Sequence, residues 1–294
     1  MVSNAFIDRL NSGKTLVSDG ATGTNLQARG LSLGMPGELW VFEKPEEIIR
    51  LHKDFITAGS DIILTCTFGG SRIRLTQKDM QNCTAELNKA AVQLARTAVE
   101  GTNVLVAGSI GPLGQLLKPL GTIEPEDARQ AYTEQAGLLA EAGVDLLLIE
   151  TQYDIEEARI ALEGAQSVSS LPIVLSFSYD RGTRTMMGVK PTQMAEAFSG
   201  MNVTALGINC GKSLENNLEA LRQLRSVTGL PIWFKPNAGL PTLDASGSPV
   251  YDVNPEEMGQ QVSQWVEAGA NIVGGCCGTS PEHLHQIALA AHSS

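Results

Sequence analysis

Residues 255–273 read PEEMGQQVSQWVEAGANIV, and the same pattern returns at residues 45–63 (PEEIIRLHKDFITAGSDII) and 125–147 (PEDARQAYTEQAGLLAEAGVDLL). Each segment opens on proline followed by acidic residues. This suits a first helical turn, because proline needs no hydrogen-bond partner there and carboxylates favour the positive end of the helix dipole. Each then reaches Ala-Gly, a common helix ending, and enters an apolar run typical of a strand. The repeat predicts a helix that leads directly into a strand.

Eight apolar runs in the 294-residue chain predict strands, at residues 15–18, 62–66, 104–107, 146–150, 173–177, 205–209, 232–235 and 272–275. Helical patterns separate most of them, for example at residues 154–166, 192–198 and 213–227. Alternating strands and helices in this number predict an α/β fold, a single (β/α)8 TIM barrel that forms one domain over residues 1–294. A doubly wound open sheet is the competing fold, but no GxGxxG motif follows the first strand.

The predicted loops differ in length at the two ends of the strands. Helix-to-strand links are short, whereas the strand-to-helix links at residues 19–44, 67–82, 109–124 and 237–254 are long. In a (β/α)8 barrel the long links all lie at the C-terminal face, where active sites occur. The candidate site residues are therefore those that end strands: Asp19, Cys66, Ser109, Glu150, Ser178, Cys210, Asn237, Cys276 and Cys277.

Three of the five cysteines, Cys210, Cys276 and Cys277, lie at predicted strand ends in the last third of the chain. Strands six and eight are two apart around a barrel, so their ends can approach across its mouth. Three thiolates at one point suit Zn²⁺, and adjacent cysteines can share one ion where flanking glycines let the backbone turn sharply. Three protein ligands leave a fourth position open, as in catalytic zinc sites.

The ligand set also indicates a class of reaction. Three thiolates overcompensate the charge of the dication, so the ion would activate water poorly. A substrate thiol in the fourth position would still lose its proton and stay nucleophilic, which predicts alkyl transfer to that thiol. Two other interpretations stay open, namely buried core cysteines and a vicinal redox pair. Cys66 and Cys83 lack the neighbours of a metal site, although Cys66 could line the cavity.

A glycine-punctuated turn, Asp19-Gly-Ala-Thr-Gly-Thr24, follows the first predicted strand. Its consecutive N–H groups could bind a carboxylate. Glu150 ends a hydrophobic run, so Glu150 or Asp19 could receive an ammonium group. Together with an open thiol-binding ion, these groups describe a small thiol amino acid as substrate. The alternative is an ordinary turn, with acids that only cap helices.

Composition excludes several classes of protein. With 21 Lys+Arg against 32 Asp+Glu, the net charge is −11, which disfavours nucleic acid or an anionic membrane as partner. No apolar run approaches the ~20 residues of a membrane-spanning helix, and the N-terminus MVSNAFIDRL lacks a signal-peptide pattern. Five cysteines, an odd number, do not predict a secreted disulfide framework. The expected location is the cytoplasm.

Six motifs occur in order along nearly the whole chain: Asp19-Gly-Ala-Thr-Gly-Thr, Leu64-Thr-Cys-Thr-Phe-Gly, Gly108-Ser-Ile-Gly-Pro112, Gly207-Ile-Asn-Cys210, Lys235-Pro-Asn-Ala-Gly239 and Gly274-Gly-Cys-Cys-Gly-Thr279. In these motifs the chain resembles the homocysteine S-methyltransferase family. That family includes the homocysteine module of cobalamin-dependent methionine synthase and the betaine- and S-methylmethionine-dependent enzymes. The GINC and GGCCGT motifs are the most specific. The short loops and residues 235–253 are most similar to the methionine synthase module.

The resemblance implies a role for each matching residue. The implied zinc ligands and catalytic residues are Cys210, Cys276 and Cys277. The implied substrate-binding residues are Asp19, Ala21, Thr22, Gly23, Glu150 and Asn237. Asp19 and the amides of residues 21–23 would hold homocysteine, and Glu150 would receive its amino group. Asn237 would take the fourth zinc position when substrate is absent.

Two residues near the mouth depart from the family pattern. Cys66 stands where asparagine is common, and Lys235 stands where an aromatic or acidic residue often precedes Pro-Asn-Ala-Gly. Both bear on the second substrate, the methyl donor.

The predicted reaction is an in-line displacement in which homocysteine, bound through its sulfur to zinc, accepts a methyl group and leaves as methionine. The expected donor is a sulfonium such as S-methylmethionine, or methyl-cobalamin on a corrinoid protein. Betaine is disfavoured because the sequence shows no aromatic cage. Three alternatives stay open: a corrinoid-linked methyltransferase for another thiol, a module that binds homocysteine without turnover, and a barrel with a structural metal.

Overall fold

The computed structural model describes residues 4–243 and 249–293. Within these residues ten strands occur: β1 (Leu16–Val17), β2 (Ile62–Leu64), β3 (Leu105–Ile110), β4 (Leu146–Gln152), β5 (Ile173–Phe177), β6 (Ala205–Cys210), β7 (Ile232–Pro236), β8 (Pro241–Leu243), β9 (Pro249–Tyr251) and β10 (Ile272–Val273). Eight of them form one parallel sheet in the order β1-β10-β7-β6-β5-β4-β3-β2. A parallel bridge between Ser18 and Ile62 joins its two ends. The predicted (β/α)8 TIM barrel is confirmed.

Helices surround the barrel. In the described ranges they are α1 (Ala5–Asn11), α2 (Thr22–Ala28), α3 (Trp40–Glu43), α4 (Pro45–Ala58), α5 (Arg72–Thr76), α6 (Thr84–Val99), α7 (Pro125–Ala142), α8 (Ile155–Val168), α9 (Pro191–Ala197), α10 (Leu214–Arg225), α11 (Pro255–Glu267) and α12 (Pro281–His292). None of these helices combines the length and the apolar character that crossing a membrane requires. The predicted domain also includes residues 1–3, 244–248 and 294, which lie outside the described residues, so its extent stays a prediction.

The repeated helix-to-strand unit has the predicted ends. α4, α7 and α11 each begin at the proline of the repeat, and Asn254 and Glu257 form a capping box at the start of α11. Gly59 and Gly143 close α4 and α7 in the left-handed conformation, with φ of 113° and 94°. In α11 the closing residue is instead Ala268, and the left-handed Gly269 (φ 100°) follows it.

The strands differ from prediction mainly at their carboxyl ends. β10 ends at Val273 rather than residue 275, because the backbone then turns across the barrel mouth. There the Gly275 amide donates to the Asp19 carbonyl and the Cys276 amide donates to the Pro236 carbonyl. β2 likewise ends at Leu64, before residue 66. The short antiparallel pair β8 and β9 falls within residues 237–254, where the sequence predicted only a loop.

Side-chain alternation along the strands fills the barrel and then supplies the site. The interior holds one apolar cluster, with members such as Ala107, Leu148 and Trp233 at alternate positions of their strands. A second, larger cluster packs between the strands and the surrounding helices. Ser109, Glu150 and Lys235 each lie two positions further along these strands, on the same face. They are polar where the earlier positions are apolar, and they line a cavity. The strand faces that fill the barrel core therefore also supply the polar residues of the site.

Candidate active site

A cavity of about 650 Å³ opens at the carboxyl ends of the barrel strands. Residues proposed from sequence make up much of its wall: Ala21, Thr22, Gly23, Cys66, Ser109, Glu150, Cys210, Cys276 and Cys277. Asp19, Ser178 and Asn237 are not part of the wall. The expectation that the long loops place the candidate residues around one cavity therefore holds for most of them.

The three cysteines of the last third of the chain meet at this cavity. Their Sγ atoms lie within 4.8 Å of one another, and Cys210 Sγ is 2.8 Å from Cys276 Sγ. Cys210 ends β6 in a left-handed conformation with φ of 57°. Such a conformation persists only when its surroundings hold it, and here the Asn217 amide group donates to the Cys210 carbonyl at 2.6 Å. The cluster has the donor atoms and the spacing to hold a metal ion.

The protonation of the cluster also suits a cation. Hydrogen bonds from Cys210 and Cys276 lower the pKa of Cys277, and Tyr251 adds a further hydrogen bond. The hydrogen bonds to Cys276 and Cys277 in turn raise the pKa of Cys210. The hydrogen bonds within the cluster therefore favour the charged form of Cys277 and the neutral form of Cys210. Full ionisation of three adjacent thiols requires a compensating positive charge, which a bound divalent ion supplies.

Asn209 is a positioning residue that the sequence analysis missed. Its Nδ2 lies 3.6 Å from Cys210 Sγ and donates to Thr151 Oγ at 2.7 Å. Its Oδ1 accepts the Thr151 amide at 2.9 Å and the Ser176 hydroxyl at 2.6 Å. Thr151 has φ of 60°, a strained value for a β-branched residue. One side chain therefore links the cysteine cluster to the backbone beside Glu150. Its place before Cys210 in the GINC motif was the available signal.

Asn237, predicted at the fourth zinc position, uses both polar atoms of its side chain elsewhere. Its Oδ1 accepts the Cys277 amide at 3.0 Å, and its Nδ2 donates to the Gly211 carbonyl at 2.8 Å. These two bonds fix the backbone beside Cys210 and Cys277. A role as ligand stays a prediction and would require the side chain to leave them.

Asp19 lies behind the cavity wall, paired with Lys235. Its Oδ1 is 2.7 Å from Lys235 Nζ, and its Oδ2 accepts the Leu64 amide at 2.8 Å. Both residues are fully buried, and Asp19 offers no free oxygen to an ammonium group. Burial lowers the pKa of Lys235, but the Asp19 and Glu150 carboxylates outweigh this and raise it. The lysine is therefore charged at neutral pH.

Glu150 is the carboxylate that does face the cavity. It lies at the end of the β4 interior face and accepts a hydrogen bond from the Ser109 hydroxyl at 2.5 Å. Burial raises its pKa to about 7, although the positive charge of Lys235 acts against this. Glu150 is thus poised to change charge near neutral pH.

The turn after β1 forms the start of α2. Thr22, Gly23 and Thr24 occupy its first three positions, where amides have no partner within the helix, and no side chain caps them. The Ala21 amide is already engaged, because it donates to the Thr279 carbonyl at 3.1 Å. Of the three predicted amides at residues 21–23, the last two are free to bind an anion.

The wall of the cavity also carries residues that sequence reasoning did not single out. They are Gln27, Glu38, Arg74, Leu75, Gln77, Lys78 and Tyr251. Glu38 lies in the long segment between β1 and α4, in a 3₁₀ turn at Gly37–Leu39. Its only signal in the sequence was its place in a strand-to-helix link.

The family model described as homocysteine S-methyltransferase matches residues 16–291. The chain is 30% identical to the methionine synthase of Mycobacterium leprae over 94% of its length, and 30% identical to that of Mycobacterium tuberculosis over 95%. It spans about a quarter of these two relatives, 24% and 25% of their lengths. Among solved structures it is similar to the metallated form of the homocysteine methyltransferase MmuM from Escherichia coli. The TM-score is 0.83 at 27% identity, covering 97% of this chain and 99% of that one.

Proposed function

The chain belongs to the homocysteine S-methyltransferase family, and we propose that it transfers a methyl group to the thiolate of homocysteine and releases methionine. The observation that carries the proposal is the cluster of Cys210, Cys276 and Cys277, three sulfurs within 4.8 Å of one another on the wall of a large cavity. A thiol-rich site of this kind suits a thiol substrate better than water.

We propose Zn²⁺ as the ion held by these three cysteines, since zinc prefers sulfur ligands in tetrahedral geometry. When bound, the ion would lower the pKa of a substrate thiol in its open position and keep it as the thiolate. The protein fixes the sulfurs through the Asn217 bond to the Cys210 carbonyl and the Asn237 bond to the Cys277 amide.

The remaining groups of homocysteine have matching partners on the wall. We assign its ammonium group to Glu150, the carboxylate that faces the cavity, and its carboxylate to the amides of Thr22 and Gly23. Asp19 acts indirectly, because it neutralises Lys235 instead of facing the substrate. This arrangement recognises an α-amino acid through its ammonium and carboxylate groups, and recognises its thiol through the cysteine cluster.

In the transfer step the homocysteine sulfur attacks the methyl carbon from the side opposite the leaving group. The new bond between this sulfur and the methyl carbon forms as the bond between the methyl carbon and the donor breaks. The electron pair of the broken bond leaves with the donor. The protein contributes by aligning the two reactants. A cavity of about 650 Å³ is in the range that accommodates a drug-sized ligand, so it leaves room for a donor beside homocysteine.

Two donors fit the proposal. A sulfonium such as S-methylmethionine is small enough to enter the cavity. A methyl-corrinoid protein is the second candidate, favoured by the similarity to two methionine synthases of which this chain spans a quarter. We further propose the reducing cytoplasm as location, since the five cysteines are free thiols.

The direct test is methionine formation by zinc-loaded protein from homocysteine, with sulfonium, methyl-cobalamin, methyl-folate and betaine as separate donors. We expect product with a sulfonium or methyl-cobalamin and at least a hundredfold loss after chelation, restored by zinc. Homocysteine binding without product from any donor would instead indicate a binding module. Methylation of another thiol alone would refute homocysteine as acceptor, and zinc that no added thiol perturbs would indicate a structural metal.

Binding of the product methionine should depend on the charge of Glu150. Because the pKa of this carboxyl is raised to about 7, methionine affinity should rise about tenfold from pH 6 to pH 8 as Glu150 ionises. Methionine is the better probe because it has no thiol to titrate. In Glu150→Gln the affinity should be at least about tenfold lower at pH 8 and independent of pH.

Calorimetric titration of metal-free wild type and variant between pH 6 and pH 8 measures this effect, because Cys276 also raises the pKa of Glu150 and a bound cation would offset that charge. The charged and titratable groups that act on Glu150 are Lys235, Cys276 and Asp19, and Ser109 donates to it. All four are unchanged in the variant. An equal pH dependence in the two proteins would refute the assignment of the ammonium group to Glu150.

A further inference from the structure

Lys235 brings a positive charge to the part of the cavity where the ammonium group of homocysteine is proposed to bind. Its side chain is 3% exposed, and it lines the same wall as Glu150 and Cys276. It is also one of the two residues near the mouth that depart from the family pattern. A cation beside a site for an ammonium group requires a specific reason, because like charges repel.

The ammonium group of Lys235 keeps hydrogen-bonding capacity for a ligand. In residues 4–243 and 249–293 its Nζ donates to Asp19 Oδ1 at 2.7 Å, and no second carboxylate oxygen lies within 4.0 Å of it. A lysine ammonium carries three N–H donors. Because Lys235 lines the cavity, its other donors can meet an anionic group there.

Asp19 needs no positive charge from a ligand, because the protein supplies one. Its Oδ1 pairs with Lys235, and its Oδ2 accepts the Leu64 amide at 2.8 Å. A buried carboxylate that relied on a substrate ammonium group would lose its partner with any acceptor that lacks this group, at a large cost in free energy. Asp19 instead stays paired whichever acceptor occupies the cavity.

Glu150 faces the ligand, and Lys235 acts on it as well. The Ser109 hydroxyl donates to Glu150 at 2.5 Å. Burial raises the pKa of Glu150, and the positive charge of Lys235 lowers it. An ammonium group that binds Glu150 must approach the like charge of Lys235, whereas a carboxylate in the cavity is attracted by that charge. The site therefore discriminates weakly in favour of an amino group.

We propose that this site also accepts thiols that carry a carboxylate but no α-amino group, the mercaptoalkanoates, and that Lys235 is the specificity-determining residue for them. This inference rests on the proposed function and widens its class of acceptor. The carboxylate keeps the amides of Thr22 and Gly23, which have no partner within α2. The thiol keeps the cysteine cluster, so the acceptor loses only the ammonium contact to Glu150.

The transfer step is the same for such an acceptor. The thiol proton passes to solvent, the acceptor sulfur forms a bond to the methyl carbon, and the bond between that carbon and the donor breaks. The electron pair of the broken bond leaves with the donor, and the product is a methylthio carboxylate. Because the amino group takes no part in these bonds, its loss should act on KM more than on kcat.

The first test compares two thioethers that differ only in the amino group, methionine and 4-(methylthio)butanoate. Calorimetry on zinc-loaded wild type at pH 8 should show a preference for methionine of no more than about tenfold. Lys235→Met removes the like charge and leaves Asp19 unpaired, so it should raise this preference at least about tenfold. Asp19→Asn leaves the lysine charge unpaired and should shift the preference about as far in the opposite direction. A lysine that only supports the fold would shift both variants the same way.

Lys53→Met is the matched control, because Lys53 is an exposed lysine of α4 that does not line the cavity. It should keep the wild-type preference. Thermal melting should show which variants are folded, and if Lys235→Met is not, the direction of the shift in Asp19→Asn decides alone.

The second test measures methyl transfer to 4-mercaptobutanoate and to homocysteine, with S-methylmethionine and methyl-cobalamin as separate donors. We expect kcat/KM for the two acceptors to lie within about a hundredfold of each other. A protein that methylates homocysteine but not 4-mercaptobutanoate would overturn the inference, as would a shift of the same sign in Lys235→Met and Asp19→Asn. Methylation of 4-mercaptobutanoate without methylation of homocysteine would overturn the proposed function alone.

Discussion

Cys276→Ser should lose bound zinc and methyl transfer together while the barrel stays folded. Serine carries a hydroxyl in place of the thiol, and its proton is not removed near neutral pH, so the cluster keeps two thiolate ligands where a catalytic zinc site needs three protein ligands. Cys276 lies after β10 at the cavity and outside the two apolar clusters. We expect the zinc content to fall from about one per chain to below a tenth, and kcat/KM to fall at least a thousandfold.

Metal analysis, methionine formation and thermal melting measure the three parts of this prediction. Zinc should raise the melting temperature of wild type, because it binds the folded form, and should leave that of Cys276→Ser unchanged. Cys83→Ser is the control, since Cys83 lies in a surface 3₁₀ turn and does not line the cavity. Full activity in a zinc-free Cys276→Ser protein would refute the role of the cluster.

The barrel was predictable because its signals are local. Proline and acids at the start of α4, α7 and α11, and glycine near their ends, act through the backbone of the same few residues. The cysteine cluster followed from the fold, since parallel strands of one barrel end at one face. Sequence reasoning therefore brought Cys210 within reach of Cys276 although 66 positions separate them.

The pairings inside the site were not predictable, since they depend on which side chains meet in three dimensions. Asp19 looked like a partner for a substrate ammonium group, but its carboxylate binds Lys235, 216 positions away. The Ala21 amide looked free, but the Thr279 carbonyl accepts it. Glu38 carried no motif at all, and only burial at the cavity distinguishes it from other acids. Local sequence patterns were enough to locate the strands. The hydrogen-bond and ion-pair partner of each site residue depends on tertiary contacts, which those patterns do not contain.

Lys235→Met should lower the free energy of unfolding by about 3 to 5 kcal/mol, because it removes one partner of a buried ion pair. Burial raises the pKa of Asp19 and Lys235 lowers it, so without the lysine this 0% exposed carboxyl would have to stay charged with no counter-ion or take up a proton, and both cost free energy. The Leu64 amide alone would then stabilise that charge. Urea unfolding of the metal-free proteins at pH 7 measures the effect. Lys235→Arg is the control, since it keeps the positive charge, and should lose less than half as much.

The double variant Asp19→Asn, Lys235→Met separates two causes of the stability loss, the unpaired carboxylate of Asp19 and the changed side-chain shape at residue 235. If the loss comes from the unpaired carboxylate, removing that charge should restore at least half of it, since buried pairs replaced by neutral groups cost little. Lys235 also lowers the pKa of Glu150, so in Lys235→Met the pH midpoint of methionine binding should move upward. A lysine that only fills space would leave this midpoint unchanged, and the double variant would then be no more stable than Lys235→Met.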